Sequence, residues 1–329
     1  MKKIKRVLIA SDFSNPWNPG YYIKKGLESN NISVAVFDPS SSQNPHSSLI
    51  RTSEAFAPDM LLYIKDYGLQ PDWLMEIKRK GTLLVQWYID PVIPGWLPPF
   101  VKISDIFFTM SEGLVDEFRK INPNSFWLTQ AFEPSFFETG EISRADEITF
   151  STDVTFAGNL GSKMQYIARR ESLKRVIREG IKLKWWGPRL PRKLSTIPLI
   201  LGSLGRAYGG RFIWGQEYAK AAKLSKIFLA FDAAPQFRKS MSARMYTAVG
   251  CGAFYMCRHV DGIEDLLTPD KEIVTFRNEN EMIDKIKFYL KNDSLRRQIA
   301  VAGRTRVLKE HTYKIRTGQM LRKIENVLG

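Results

Sequence analysis

The chain has 329 residues, 44% hydrophobic and 12% aromatic, which predicts about two domains, each burying its own core, and excludes a disordered chain. No apolar run approaches the roughly 18 residues of a membrane span, and Met1-Lys2-Lys3-Ile4-Lys5-Arg6 leads into a strand rather than a signal-peptide core, so a cytoplasmic protein is expected. The formal charge of +15 calls for an anionic partner, while two cysteines (Cys251, Cys257) exclude a disulfide framework and three scattered histidines a metal site.

The N-terminal part alternates strand and helix. The apolar run 6–10 reads as a strand, 12–20 as an Asn-, Pro- and Gly-rich loop, 21–29 as a helix and 32–37 as a strand. Such alternation predicts a parallel sheet with ligands at the carboxyl ends of the strands, and the absence of G-x-G-x-x-G after the first strand removes the dinucleotide fingerprint. The Ser- and Pro-rich stretch 38–48 reads as a loop. A strand at 60–64, a helix at 73–80 and a strand at 82–89 follow, then Asp90-Pro91 and a proline-rich loop (Pro94, Pro98, Pro99) expected to be neither helix nor central strand. A strand at 106–109, a helix at 113–120 and a strand at 125–128 complete this half.

The polar, acidic stretch 138–147 is the best linker, predicting domains at 1–145 and 146–329. The second domain opens with a strand at 154–157, the turn Gly158-Asn159-Leu160-Gly161 and a long basic helix to Glu179. A strand at 181–186 ends at Gly187. After a Pro- and Gly-rich stretch, 212–214, a helix at 216–224 and a strand at 227–231 form another α/β repeat. Thirteen Lys or Arg against two Glu between Lys163 and Arg211 hold eleven of the fifteen excess charges. They make a solvated basic face, a nucleotide-sugar site, or a surface for an anionic membrane or polyanion. The apolar residues 194–204, flanked by Arg189, Arg192, Lys193 and Arg206, either dip into a membrane interface or form a buried connection.

The most informative stretch is Arg244-Met245-Tyr246-Thr247-Ala248-Val249-Gly250-Cys251-Gly252-Ala253. The polar run Arg238-Lys239-Ser240-Met241-Ser242 predicts a helix start, small residues close the helix, and a buried strand follows. A helix N-terminus with cations beside it suits a phosphate. After it come Gly262-Ile263-Glu264-Asp265, the run Lys271-Glu272-Ile273-Val274-Thr275-Phe276, a helix near 281–290, and Gly303-Arg304 leading to His311-Thr312-Tyr313.

These residues resemble the C-terminal half of group-1-type glycosyltransferases, most closely the CgeB-like (spore-maturation-type) proteins. Arg244, Tyr246, Cys251-Gly252-Ala253 and His311-Thr312-Tyr313 stand at matching places. Pro58-Asp59, Gly81 to Asp90-Pro91, and Asp105 to Gly113 match the N-terminal half, so the resemblance spans nearly the whole chain. One departure is Thr247, where the family usually has an acid that holds hydroxyls; a hydroxyl gives up the charge-assisted bond.

The resemblance implies an α/β fold of two Rossmann-like doubly wound domains facing a cleft, the glycosyltransferase B type, with the last helix packing back on the N-terminal domain. It implies transfer of a sugar from a nucleotide-diphosphate donor, UDP-sugar favoured, to an unknown glycan, protein or other anionic acceptor, with a lean to retention of configuration. The chain has no Asp-x-Asp, so no metal cofactor is expected, and helix N–H groups and cations would meet the leaving diphosphate. Candidates for donor binding are Arg238, the amides near Ser240, Arg244, Lys163, Gly158 and Asn159. Trp186 and Gly187 match positions near the base, where Trp186 either stacks on it or fills the core, and Glu217 could take part of the ribose role that Thr247 lacks. Asp90, and after it Asp12, are the candidates for orienting or deprotonating an acceptor hydroxyl, against turn or helix-cap roles. Two other classes stay open: a catalytically degenerate nucleotide- or glycan-binding protein, motivated by Thr247, and a nucleic-acid-directed protein using residues 163–211.

Overall fold

The structure, a computed structural model, describes residues 3–161, 166–188, 197, 201–231 and 234–329. The chain forms two compact units. The first comprises residues 1–133, 236–241 and 310–329, the second 134–235 and 242–309.

The first unit is built on a six-stranded parallel sheet, ordered β2-β1-β3-β4-β5-β6. Its strands are β1 (Arg6–Ala10), β2 (Ser33–Phe37), β3 (Met60–Tyr63), β4 (Leu83–Tyr88), β5 (Ile106–Thr109) and β6 (Ser125–Trp127). The central strands are apolar on both faces because helices cover both, as parallel sheets require. Val7, Ile9, Leu62, Val85 and Trp87 pack on one side, and Leu8, Leu61, Tyr63 and Leu84 on the other. The C-terminal helix Tyr313–Leu328 completes the first side against helix Pro19–Glu28. Tyr22 and Tyr313 lie with ring centroids 5.6 Å apart, and Asn30 Nδ2 donates to the Lys314 carbonyl at 2.7 Å.

The second unit holds a five-stranded parallel sheet, ordered β11-β10-β9-β7-β8. These strands are β7 (Thr152–Ala157), β8 (Leu183–Trp186), β9 (Ser225–Ala230), β10 (Tyr255–Arg258) and β11 (Val274–Phe276). Its core joins Val154, Phe156, Trp185, Leu229 and Met256 to Ile283 and Ile286 of helix Glu279–Lys291. In each unit the first strand lies one in from an edge of the sheet. The chain visits one flank and then crosses to the other, so a topological switch point falls between β1 and β3 and between β7 and β9.

Three stretches differ from the sequence reading. The 38–48 loop holds a 3₁₀ turn, Pro39–Ser41, and the start of helix Pro45–Phe56, because Pro45 sits in the first turn, where its missing N–H costs nothing. For the same reason Pro98 and Pro99 fall inside helix Leu97–Ile103. The acidic 138–147 stretch ends in helix Arg144–Phe150, closed by a capping box in which Ser143 and Asp146 exchange side-chain and backbone bonds. That helix belongs to the second unit, whose first residue is Pro134 rather than residue 146.

Candidate functional site

In the second unit the switch point is lined by the residues that follow β7 and β9. Gly158 continues from β7, its N–H donating to the Trp186 carbonyl at 2.8 Å. A Cβ there would come 2.9 Å from Phe156 Cζ and 3.2 Å from Arg244 Nη2. Glycine is therefore what lets the Arg244 guanidinium approach the end of β7. Arg244 is the second residue of helix Ala243–Gly250, which starts from Ser242 in an extended conformation. Its guanidinium lies 6.0 Å from the centre of the Phe156 ring. It is half-buried, and no carboxylate pairs with it among the described residues. A cation in the first turn of a helix, close to backbone N–H groups, is a ready receptor for phosphate oxygens.

The remaining donor-side candidates have definite partners. Asn159 Oδ1 accepts from Gly161 N at 2.7 Å, forming a tight turn. Gly187 packs so closely on the Gly158 carbonyl that a side chain there would collide with it. Trp186 is a core residue, 1% exposed. Its Nε1 donates to Thr155 Oγ1 at 3.1 Å, Phe150 lies 5.2 Å away ring to ring, and the backbone at Gly209 presses on its indole. Glu217 is held bidentately by Arg211, with Nη2 at 2.6 Å and Nε at 3.0 Å. Thr247 Oγ1 donates to the Ala243 carbonyl one turn back at 2.9 Å. Lys163 and much of the 189–206 stretch lie outside the described residues.

Arg238 and Ser240 are not at the helix start. The helix begins at Ala243, and both residues fall in segment 236–241, which belongs to the first unit. There Arg238 and Lys239 both pair with Glu112, Lys239 at 3.0 Å. The Gly113 N–H donates to the Arg238 carbonyl at 3.1 Å, and Ser240 is 2% exposed. The polar run that reads as a helix start is fixed instead by Glu112.

In the first unit, an aspartate follows each of four neighbouring strands: Asp38 after β2, Asp12 after β1, Asp66 after β3 and Asp90 after β4. Asp12 Oδ1 accepts from Ser14 N at 2.8 Å, and bonding to Ser14 holds its carboxyl below the usual range despite partial burial. Asp90 forms an ion pair with Lys65. Tyr67 sits among them. Burial, and then the charge of Asp12 with smaller parts from Asp90 and Asp66, pushes its phenol up to about 12. The two candidates for acceptor chemistry thus share one edge, where carboxylates can orient a hydroxyl or accept its proton. For Lys65 and Tyr67 the only signal in the sequence is position, within four residues of the end of the apolar strand Met60–Tyr63. Arg169 was likewise hidden within the basic stretch. No group of three or more His, Cys, Asp or Glu among the described residues could hold a metal ion, and no described helix is long and apolar enough to cross a membrane.

Residues 169–322, just under half of the chain, match the family model described as Glycosyl transferase-like. No curated protein matches the chain by sequence. Several solved structures share its fold over nearly its whole length. A sucrose-phosphate synthase from Thermosynechococcus elongatus superposes with a TM-score of 0.70 at 11% identity, covering 98% of this chain and 99% of that one. HepE from Anabaena, in complex with UDP and glucose, gives 0.67 at 10% identity, covering 98% and 100%. An alpha-glucosyltransferase in complex with UDP and a 13-mer DNA containing an HMU base gives 0.70 at 9% identity, covering 98% and 100%. The fold is that of the glycosyltransferase B type, two parallel-sheet α/β domains.

Proposed function

We propose that this chain is a metal-independent glycosyltransferase of the CgeB-like branch, moving a sugar from UDP-sugar to a hydroxyl-bearing acceptor with retention of configuration. The observation that carries the reading is Arg244, half-buried without a carboxylate partner among the described residues, set in the first turn of a helix beside Gly158. The second unit would bind the nucleotide. As the bond between the anomeric carbon and the diphosphate breaks, the electron pair leaves with UDP, and Arg244 with the amides of helix Ala243–Gly250 takes up the growing charge. The first unit would supply the acceptor side, with Asp90 or Asp12 orienting the hydroxyl and receiving its proton as the acceptor oxygen bonds to the anomeric carbon on the face that UDP leaves. UDP is favoured because HepE and the alpha-glucosyltransferase are both bound to it. The order of motifs from Pro58-Asp59 to His311-Thr312-Tyr313 favours the CgeB-like branch, and the cytoplasm is where this reading places the reaction.

A second reading, a nucleotide-binding protein without turnover, is favoured by the engagement of Thr247 and Glu217 with the protein itself. One set of measurements separates the two. Thermal shifts with UDP, GDP, ADP, CMP and dTDP, in Mg²⁺ and in EDTA, should show selective stabilisation by UDP in both buffers, reaching about 2.7 kcal/mol at a hundredfold excess over Kd. Arg244→Ala should cut it to about half at the same UDP concentration, as a tenfold weaker dissociation constant requires. UDP release from UDP-glucose, raised by a pool of glycan acceptors and lost in Asp90→Ala or Asp12→Ala, would establish the transferase; binding without release would establish the second reading. No shift with any nucleotide would overturn both.

A further inference from the structure

Arg169 lies in the first turn of helix Ile167–Arg178 and is 7% exposed. Its Nη1 donates to the Asn159 carbonyl at 3.1 Å and its Nη2 to the Phe231 carbonyl at 2.9 Å. Phe231 directly follows β9, and Asn159 stands two residues beyond β7. These strands are neighbours in the sheet, but the chain runs from β7 to β8 at the sheet edge before it reaches β9. One planar guanidinium therefore ties together the two strand ends that define the switch point. The same group lies 5.5 Å from the centre of the Phe156 ring, the ring that Arg244 approaches at 6.0 Å.

We infer that Arg169 is a positioning residue of the donor site, holding the β7 and β9 ends so that the Gly158–Asn159 turn stays against Arg244. The inference rests on the nucleotide-binding reading of that site. Two N–H groups in a fixed fork span two carbonyls; an ammonium on a flexible stem cannot fix both directions at once, so Lys is not a replacement even though it keeps the charge. Arg169 acts through Arg244 and does not itself meet the ligand.

The test is a double-mutant cycle on the full chain with UDP, supported by hydrogen exchange. Arg169→Lys and Arg244→Ala should each raise the UDP dissociation constant about tenfold, the scale of one hydrogen bond to a charged group. The double variant should bind no more weakly than Arg244→Ala alone, because the placement that Arg169 provides has nothing left to place. Without any ligand, Arg169→Lys should speed exchange in a peptide covering residues 157–161 while the first unit exchanges at the wild-type rate. Losses that multiply in the double variant, or wild-type exchange at 157–161, would overturn the inference. If the wild type binds no nucleotide, the donor-site reading fails, and the exchange data alone then decide whether Arg169 holds the turn.

Discussion

Truncating the Trp186 indole should cost stability and leave nucleotide affinity alone. The ring is enclosed by Phe150, Thr155 and the Gly209 backbone, so Trp186→Phe removes a buried hydrogen bond and part of the core volume. A loss of roughly 2–4 kcal/mol in urea unfolding is expected, with the UDP dissociation constant changed less than about twofold; a large change in that constant would return Trp186 to the base site. Cys251 makes the opposite kind of prediction. Burial pushes its thiol up to about 12 although Arg304 pulls the other way. The raised value means the thiol stays protonated at pH 8, so it should not react with a thiol reagent until the protein is denatured. Rapid labelling of native protein at pH 8 would contradict that placement. Arg244, Gly158 and Asp90 could be nominated from the sequence because each directly borders an apolar strand or a helix start. What the sequence could not reveal was which of the nominees were already engaged, as Glu217 is by Arg211 and Arg238 by Glu112.

At the scale of elements, helix Pro19–Glu28 approaches the C-terminal helix so closely at Gly26 that a Cβ would stand 2.5 Å from the Tyr313 carbonyl oxygen. Two effects compete in Gly26→Ala. A helical Ala gains about 1 kcal/mol in propensity over Gly. The clash is with backbone, which cannot rotate away, and overpacking of this kind costs typically about 1–3 kcal/mol. The clash should win, lowering the midpoint of thermal unfolding; an unchanged or raised midpoint would show that the two helices can separate without loss. The alternation of strand and helix was legible because the central strands are continuous apolar runs. The helix starts at Pro45 and Leu97 were not, because a proline weighs against a helix in its interior and favours one in its first turn, and sequence alone does not say which place it holds.

For the molecule as a whole, the excess charge is uneven. The second unit carries 29 Lys or Arg against 18 Asp or Glu, and the first 20 against 16. An anionic partner that reads this charge should bind with an affinity that falls steeply with salt, whereas UDP held by Arg244 and helix amides should respond far less. The division of the chain explains why a linear boundary was hard to read. The chain passes from one unit to the other at 133/134, 235/236, 241/242 and 309/310, so no single cut separates them. A fragment of residues 1–145 would lack the helix whose Tyr313, Met320 and Ile324 share a core with Ile23, Leu27 and Trp87. Uncovering three large apolar side chains costs roughly 5–9 kcal/mol, comparable with the whole stability of a typical domain, about 5–15 kcal/mol. The fragment should therefore show no cooperative urea transition by circular dichroism, and adding residues 310–329 through a flexible linker should restore one. A cooperative transition in the fragment alone would mean that this unit stands without its last helix, and that the return of the chain at residue 310 is an attachment rather than part of the core.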